Sequence, residues 1–190
     1  MLKTIRSIQQ LSFFQLMEIY EESNTLNGQE KYPLESTYAQ VQEAEQDFYQ
    51  YLSDVFFRQE NSFYAVWTHN DVYVSALRIE PYMDGVLLCA LETALNSRRN
   101  GYASKLISSV IAYLAEQGSG ILYSHVSKQN TASVHVHQKC GFQIIKDYAV
   151  YSDGSVLHGS YTFAYEYEKS ETYRFRIFLY LYLPTKYWIA

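Results

Sequence analysis

Apolar and polar positions fall into two textures along the chain. Residues 2–8, LKTIRSI, alternate weakly and predict a first strand. Residues 12–23, SFFQLMEIYEES, carry Phe13, Leu16, Met17 and Tyr20 at helical spacing, and the following NTLNGQEKYP predicts a break. A second helix is predicted over 38–57, with Val41, Ala44, Phe48, Tyr51, Leu52 and Val55 on one stripe.

From residue 62 the pattern changes to aromatic and β-branched runs. SFYAVW (62–67) and VYVSALRI (72–79), separated by THND, predict a hairpin. GVLLCALET (85–93) is almost continuously apolar, as a buried central strand is. Ala103, Leu106, Ile107, Val110, Ile111 and Leu114 then predict an amphipathic helix stopping near GSG at 118–120. ILYSHV (121–126) predicts a strand. NTASVHVHQKCG (130–141) predicts a helix capped by Asn130 and stopped by Gly141. FQIIKDYAVY (142–151) and SYTFAYEY (160–167) predict two strands joined by SDGSVLHG. Hairpins first and crossovers later imply an α+β (α/β-like) domain, a mixed central sheet flanked by helices on both faces. A further strand is expected at 173–183, YRFRIFLYLYL, pairing with the sheet edge or with a second chain as a homodimer.

The 190 residues fit one compact domain. A net charge of −5 argues against a nucleic-acid partner, which calls for a basic surface. Cys89 and Cys140 sit in apolar contexts without CxxC spacing, so small core residues in a reducing compartment are expected and no metal site is. The N-terminal MLKTIRSIQQ lacks a secretory pattern, and no run reaches the roughly 20 apolar residues of a membrane span. The expected location is cytoplasmic, with no membrane partner.

The chemistry-bearing stretch is SRRNGYASKL (97–106), a basic glycine-containing turn entering a helix. A helix N-terminus offers unpaired N–H groups and partial positive charge, so it takes a phosphate without a dedicated side chain. Gly101 lets a ligand approach the main chain, Ala103 and Ser104 keep that approach clear, and Arg98 and Arg99 add charge. The other reading of the same stretch is a plain helix start on a charged surface.

Two motifs, Arg98-Arg99-Asn100-Gly101-Tyr102-Ala103 followed by Ser104, and Asn130, Ser133, Lys139, Gly141 and Phe142 after the next strand, together resemble the GCN5-related N-acetyltransferase (GNAT) superfamily. The likeness spans roughly residues 2–168 in element order, leaving 169–190 as a C-terminal extra strand or tail. It implies a GNAT-like acyl-CoA acyltransferase fold with acetyl-CoA as cofactor. The strand at 85–95, Thr93 included, would offer main-chain amides to the thioester and pantetheine arm. Residues 98–104 would hold the pyrophosphate, with Asn130, Ser133 and Lys139 supporting the cofactor from the next helix. The implied reaction is direct transfer of an acetyl group to a primary amine of a small molecule or peptide. His137 stands where many members place the tyrosine that protonates the leaving sulfur; a half-exposed helix histidine is the alternative. Glu92 is the candidate general base, or else a rim carboxylate. Tyr20, Tyr32 and Tyr38 lie where the family caps its acceptor site and are candidate substrate contacts. A non-catalytic acyl-CoA-binding sensor of the same fold is the competing reading.

Overall fold

The computed structural model describes residues 1–151 and 153–170. Strands β1 (Leu2–Ile5), β2 (Phe63–His69), β3 (Val72–Tyr82), β4 (Gly85–Thr93), β5 (Gly120–Ser127), β6 (Gln143–Lys146), β7 (Ala149–Val150), β8 (Val156–Leu157) and β9 (Ser160–Tyr167) occur with helices α1 (Phe13–Ile19), α2 (Glu21–Lys31), α3 (Thr37–Asp54), α4 (Tyr102–Gln117) and α5 (Thr131–Lys139). A seven-stranded sheet runs β1-β2-β3-β4-β5-β9-β6, and β7 and β8 form a separate small hairpin. All neighbours in the large sheet are antiparallel except β4 and β5. That parallel pair is bridged by α4, a crossover connection.

Both faces of the sheet are covered. On one, α4 and α5 bury Leu106, Ile107 and Val110 against Leu77, Ile79, Leu122 and Phe163. Each such side chain contributes about 1.5–3 kcal/mol when taken fully out of water. On the other, α1, α3 and the short turn at Phe56–Arg58 pack Leu16, Ile19, Leu52 and Phe56 onto Tyr64, Val66 and Ala76. The β2–β3 hairpin turns through Asn70 and Asp71 at φ of 50° and 62°, the left-handed pair that matches strand twist. Among the described residues no helix is long and apolar enough to cross a membrane, and no cluster of His, Cys, Asp and Glu is arranged to hold a metal ion.

Three local expectations change. The first strand closes at Ile5 rather than residue 8, giving way to a short turn at Ile8–Gln10. The stretch expected to break the helical pattern instead forms α2, which continues to Lys31. Gly28 is a packing glycine, not a stop: a Cβ there would fall 2.4 Å from the Gln40 carbonyl oxygen, so its absence lets α2 lie against α3. The strand expected over 142–151 divides into β6 and β7; Thr162 Oγ1 donates to the Tyr148 carbonyl at 2.6 Å in the gap between them. The strand expected at 173–183, with any edge or dimer pairing, lies outside the described residues.

Candidate active site

The parallel ladder between β4 and β5 is short. It pairs Val86 with Leu122, Leu87 with Tyr123 and Leu88 with Ser124, and then stops, although β4 continues to Thr93 and β5 to Ser127. Beyond Leu88 the strands part, and the edge of β4 that faced β5 has no partner strand among the described residues. A bulge sits at that point. Ala76 pairs with Glu92 but Arg78 pairs with Cys89, so Leu77 opposes both Ala90 and Leu91. Ala90 adopts a φ of 50°, unusual for a residue with a Cβ. Its carbonyl accepts a 2.6 Å hydrogen bond from Tyr20 Oη, which in turn accepts from Tyr64 Oη at 3.0 Å. Burial holds both phenols well above their ordinary pKa, so they stay protonated and able to donate.

Past β4 the chain makes a short turn at Leu95–Ser97 and enters α4. Arg99 and Gly101 take φ values of 65° and 74°. Asn100 Nδ2 donates to the Ser97 and Arg98 carbonyls at 3.2 Å each, which folds the turn on itself. The first hydrogen bond into α4 is from Lys105 N to Gly101 O at 3.0 Å. Among the described residues, the N–H groups of residues 99–104 donate to no acceptor. A Cβ at Gly101 would meet nothing within 4 Å, so the space above the turn is open. Free amides in series and an open approach fit a diphosphate. Tyr102, Ala103 and Ser104 belong to the first turn of α4, and Arg99 is exposed. Arg98 is exposed but folded back on the protein: its Nε donates to the Thr93 carbonyl at 3.2 Å and its Nη2 pairs with Glu22 Oε2 at 2.7 Å. It ties the turn to the end of β4 and to α2.

The second motif caps α5. Asn130 Oδ1 accepts from Ser133 N at 3.0 Å, the expected N-cap bond. Lys139 is exposed in the last turn. His137 is only 1% exposed, between the rings of Phe142 and Phe163. Its Nδ1 lies 2.8 Å from the Ser133 carbonyl, which only accepts, so the proton sits on Nδ1. Burial lowers its pKa despite that bond. The ring is therefore neutral at physiological pH. Its buried Nε2, without a partner among the described residues, presents a lone pair rather than a proton.

Glu92 projects to the opposite face of the sheet from α4, into a cavity of about 510 Å³ between the sheet, α2 and α3. Tyr20, Ser23, Phe48, Tyr51 and Arg78 line it with Glu92. Ser23 Oγ donates to Glu92 Oε1. Burial raises the Glu92 pKa, with the Ser23 hydrogen bond and Arg98 pulling the other way. A carboxylate with raised pKa, at the parting of β4 and β5, is equipped to take a proton.

The proposed substrate tyrosines are not brought together. Tyr20 lines the cavity with its ring while its hydroxyl is committed to Ala90. Tyr32 Oη donates to Asp47, and Tyr38 is 73% exposed on α3 with its hydroxyl accepting from Gln42 at 2.9 Å. Neither lines the cavity. Sequence reasoning missed Arg78 and the Ala90 bulge. Arg78 carried a signal, a lone cation inside the apolar alternation of VYVSALRI; Ala90 carried none.

The model of the acetyltransferase (GNAT) family matches residues 14–142 of this chain. Solved structures share the fold at low identity. The ribosomal-protein-S18-alanine N-acetyltransferase from Escherichia coli superposes with a TM-score of 0.58 at 15% identity, over 90% of this chain and 96% of that one. Aminoglycoside 6'-acetyltransferase type Ii gives 0.57 at 15% identity over 87% and 96%. The PaiA N-acetyltransferase from Thermoplasma acidophilum, in complex with coenzyme A, gives 0.56 at 13% identity over 88% and 99%. No curated protein matches the chain by sequence.

Proposed function

The chain belongs to the acetyltransferase (GNAT) family, and from that premise we propose that it transfers an acetyl group from acetyl-CoA directly to a primary amine held in the Glu92 cavity. The bound cofactor supplies an acyl group activated as a thioester. The amides of residues 99–104 would hold its diphosphate, and the parted edges of β4 and β5 would receive the arm that leads to the thioester. The Ala90 bulge, held by Tyr20, turns the main chain of β4 at the level where the acyl carbonyl would lie. Glu92 accepts the proton of the attacking nitrogen as the N–C bond forms and the C–S bond breaks; the departing sulfur takes a proton from solvent. Holding amine and carbonyl together in this way lowers the barrier chiefly by orientation, and the base adds about 10²–10⁴-fold. The working unit in this reading is residues 1–168, since among the described residues the last strand of the sheet ends at Tyr167.

One observation carries this reading: the run of undonated amides at the mouth of α4, beside a sheet that opens at the same level. The sensor alternative is favoured by one observation only, the neutral His137 with no proton at Nε2 to give a leaving sulfur. Glu92 in its cavity supports the enzyme. Titration calorimetry with coenzyme A, followed by thiol release from acetyl-CoA across a panel of primary amines, tests the proposal. Binding with turnover is expected; binding without turnover of any amine would leave the sensor, and absence of binding would remove both.

A further inference from the structure

The cavity that holds Glu92 also holds a cation whose hydrogen bonds are unmade. Arg78 lies on β3, two residues along from Ala76, the strand partner of Glu92, so the two side chains share the cavity face as diagonal neighbours. Such positions lie about 7–8 Å apart at the backbone. The Arg78 side chain is 17% exposed and packs among aromatic rings, its guanidinium carbon 4.9 Å from the Tyr51 centroid and 5.7 Å from that of Phe56. Its Nε sits 3.4 Å from Glu80 Oε1, a charge contact without hydrogen-bond geometry. Glu80, which accepts from Tyr51 Oη at 3.4 Å, thus offsets the charge from the Nε edge but satisfies no Arg78 donor. Among the described residues, no acceptor meets either Nη atom. Nε is buried without a hydrogen bond, whereas the Nη edge reaches the cavity, where its planar fork matches a carboxylate with two parallel hydrogen bonds.

We propose that the acceptor is an amino acid, or an amino-acid-like acid, bound as a zwitterion with its carboxylate on the Nη edge of Arg78 and its amino group at Glu92. This rests on the transferase reading above and adds the substrate class. Charge balance supports it. Arg78 and Glu80 cancel and Glu92 remains negative, so a bound amine without an acid would leave the Arg78 donors idle, and a bound acid without an amine would add a second uncompensated negative charge. A zwitterion answers both groups at once. The cavity volume of about 510 Å³ suits a small molecule.

The test compares standard amino acids with their matching carboxamides in the acetyl-CoA thiol-release assay on the wild-type enzyme. The carboxamide carries the less basic amine, so unassisted chemistry favours it. The expected result is a kcat/KM about tenfold or more higher for the acid, the effect of hydrogen bonds to a charged group. Arg78→Lys, which keeps the charge and loses the fork, and the double variant Arg78→Gln with Glu80→Gln, which leaves no buried carboxylate unpaired, are each expected to bring the ratio near one. Calorimetry should find coenzyme A affinity unaltered in both. Equal rates for acid and amide in the wild type, a preference for the amide, or turnover of neither while coenzyme A still binds overturns the carboxylate anchor alone. Loss of coenzyme A binding in the wild type would remove the transferase reading and this inference with it.

Discussion

Replacing Glu92 by glutamine separates chemistry from architecture. Glutamine keeps the size of the side chain and an oxygen that accepts from Ser23, but it takes no proton from an amine. A general base is worth about 10²–10⁴-fold, and each tenfold is 1.36 kcal/mol of barrier. Stability should move the other way. Burial is the main cause that raises the Glu92 pKa. A carboxyl with a raised folded pKa contributes stability below its unfolded value, near 4.3, and that contribution is lost as pH rises through the folded pKa. At neutral pH the ionised group is therefore a liability, and Glu92→Gln should match or exceed the wild type in denaturant midpoint. The assay is thiol release with the acceptor that turns over fastest, run from acid to mildly basic pH. Wild-type kcat/KM should climb through a limb displaced above the ordinary glutamate range. In the variant that limb should vanish, leaving only the one set by the amine. A variant within about threefold of wild type, or one whose activity loss tracks unfolding, would refute the assignment.

Other substitutions address the remaining parts. Gly101→Ala places a Cβ in the open space above the turn and forces a left-handed φ of 74° on alanine. About 1–2 kcal/mol of stability should be lost, and calorimetry should record weaker coenzyme A binding than that strain alone explains. Tyr20→Phe leaves the Ala90 carbonyl and the Tyr64 hydroxyl without their bond, at a cost of about 1–3 kcal/mol in denaturant unfolding. It should also lower turnover, because the bulge is released. His137→Phe removes the Nδ1 bond to the Ser133 carbonyl but also a buried Nε2 without a partner among the described residues, so stability at neutral pH should change little and most of the turnover should remain. A histidine with a lowered folded pKa gives stability above its unfolded value, near 6.5, and loses it as pH falls through the folded value. The phenylalanine variant should accordingly lose less stability than wild type on acidification, read as thermal midpoint against pH.

Much of the frame is legible in the sequence, because β4, α4 and the Asn130 cap are decided locally by apolar runs, spacing and a capping side chain. The failures share a cause. Gly28 reads as a breaker when taken by itself, and only the approach of Gln40 from α3 shows why a glycine stands inside a helix. The insertion of β9 between β5 and β6 depends on pairings such as Ile144 with Phe163, far apart in the chain, for which alternation gives no address. Glu92 was visible as a carboxylate late in a strand, but its face was not, since the bulge at Ala90 shifts the alternation that would have assigned it. Arg78 was hidden for a related reason: a charge in a strand is ordinary until the rings of Phe48, Tyr51 and Phe56 are seen to close around it.

The three residue pairs that join β4 to β5 have a mechanical consequence. The large sheet is in effect two panels, β1 to β4 and β5 with β9 and β6, joined strand to strand along a short seam and held together besides by the core under α4. A molecule that lodged between the panels and gripped both would act as a strut, raising the free energy of the openings that expose the seam. Amide hydrogen exchange at residues 86–88 and 122–124 should then slow together on ligand addition, while β1, at the far edge of the sheet, keeps its own rate.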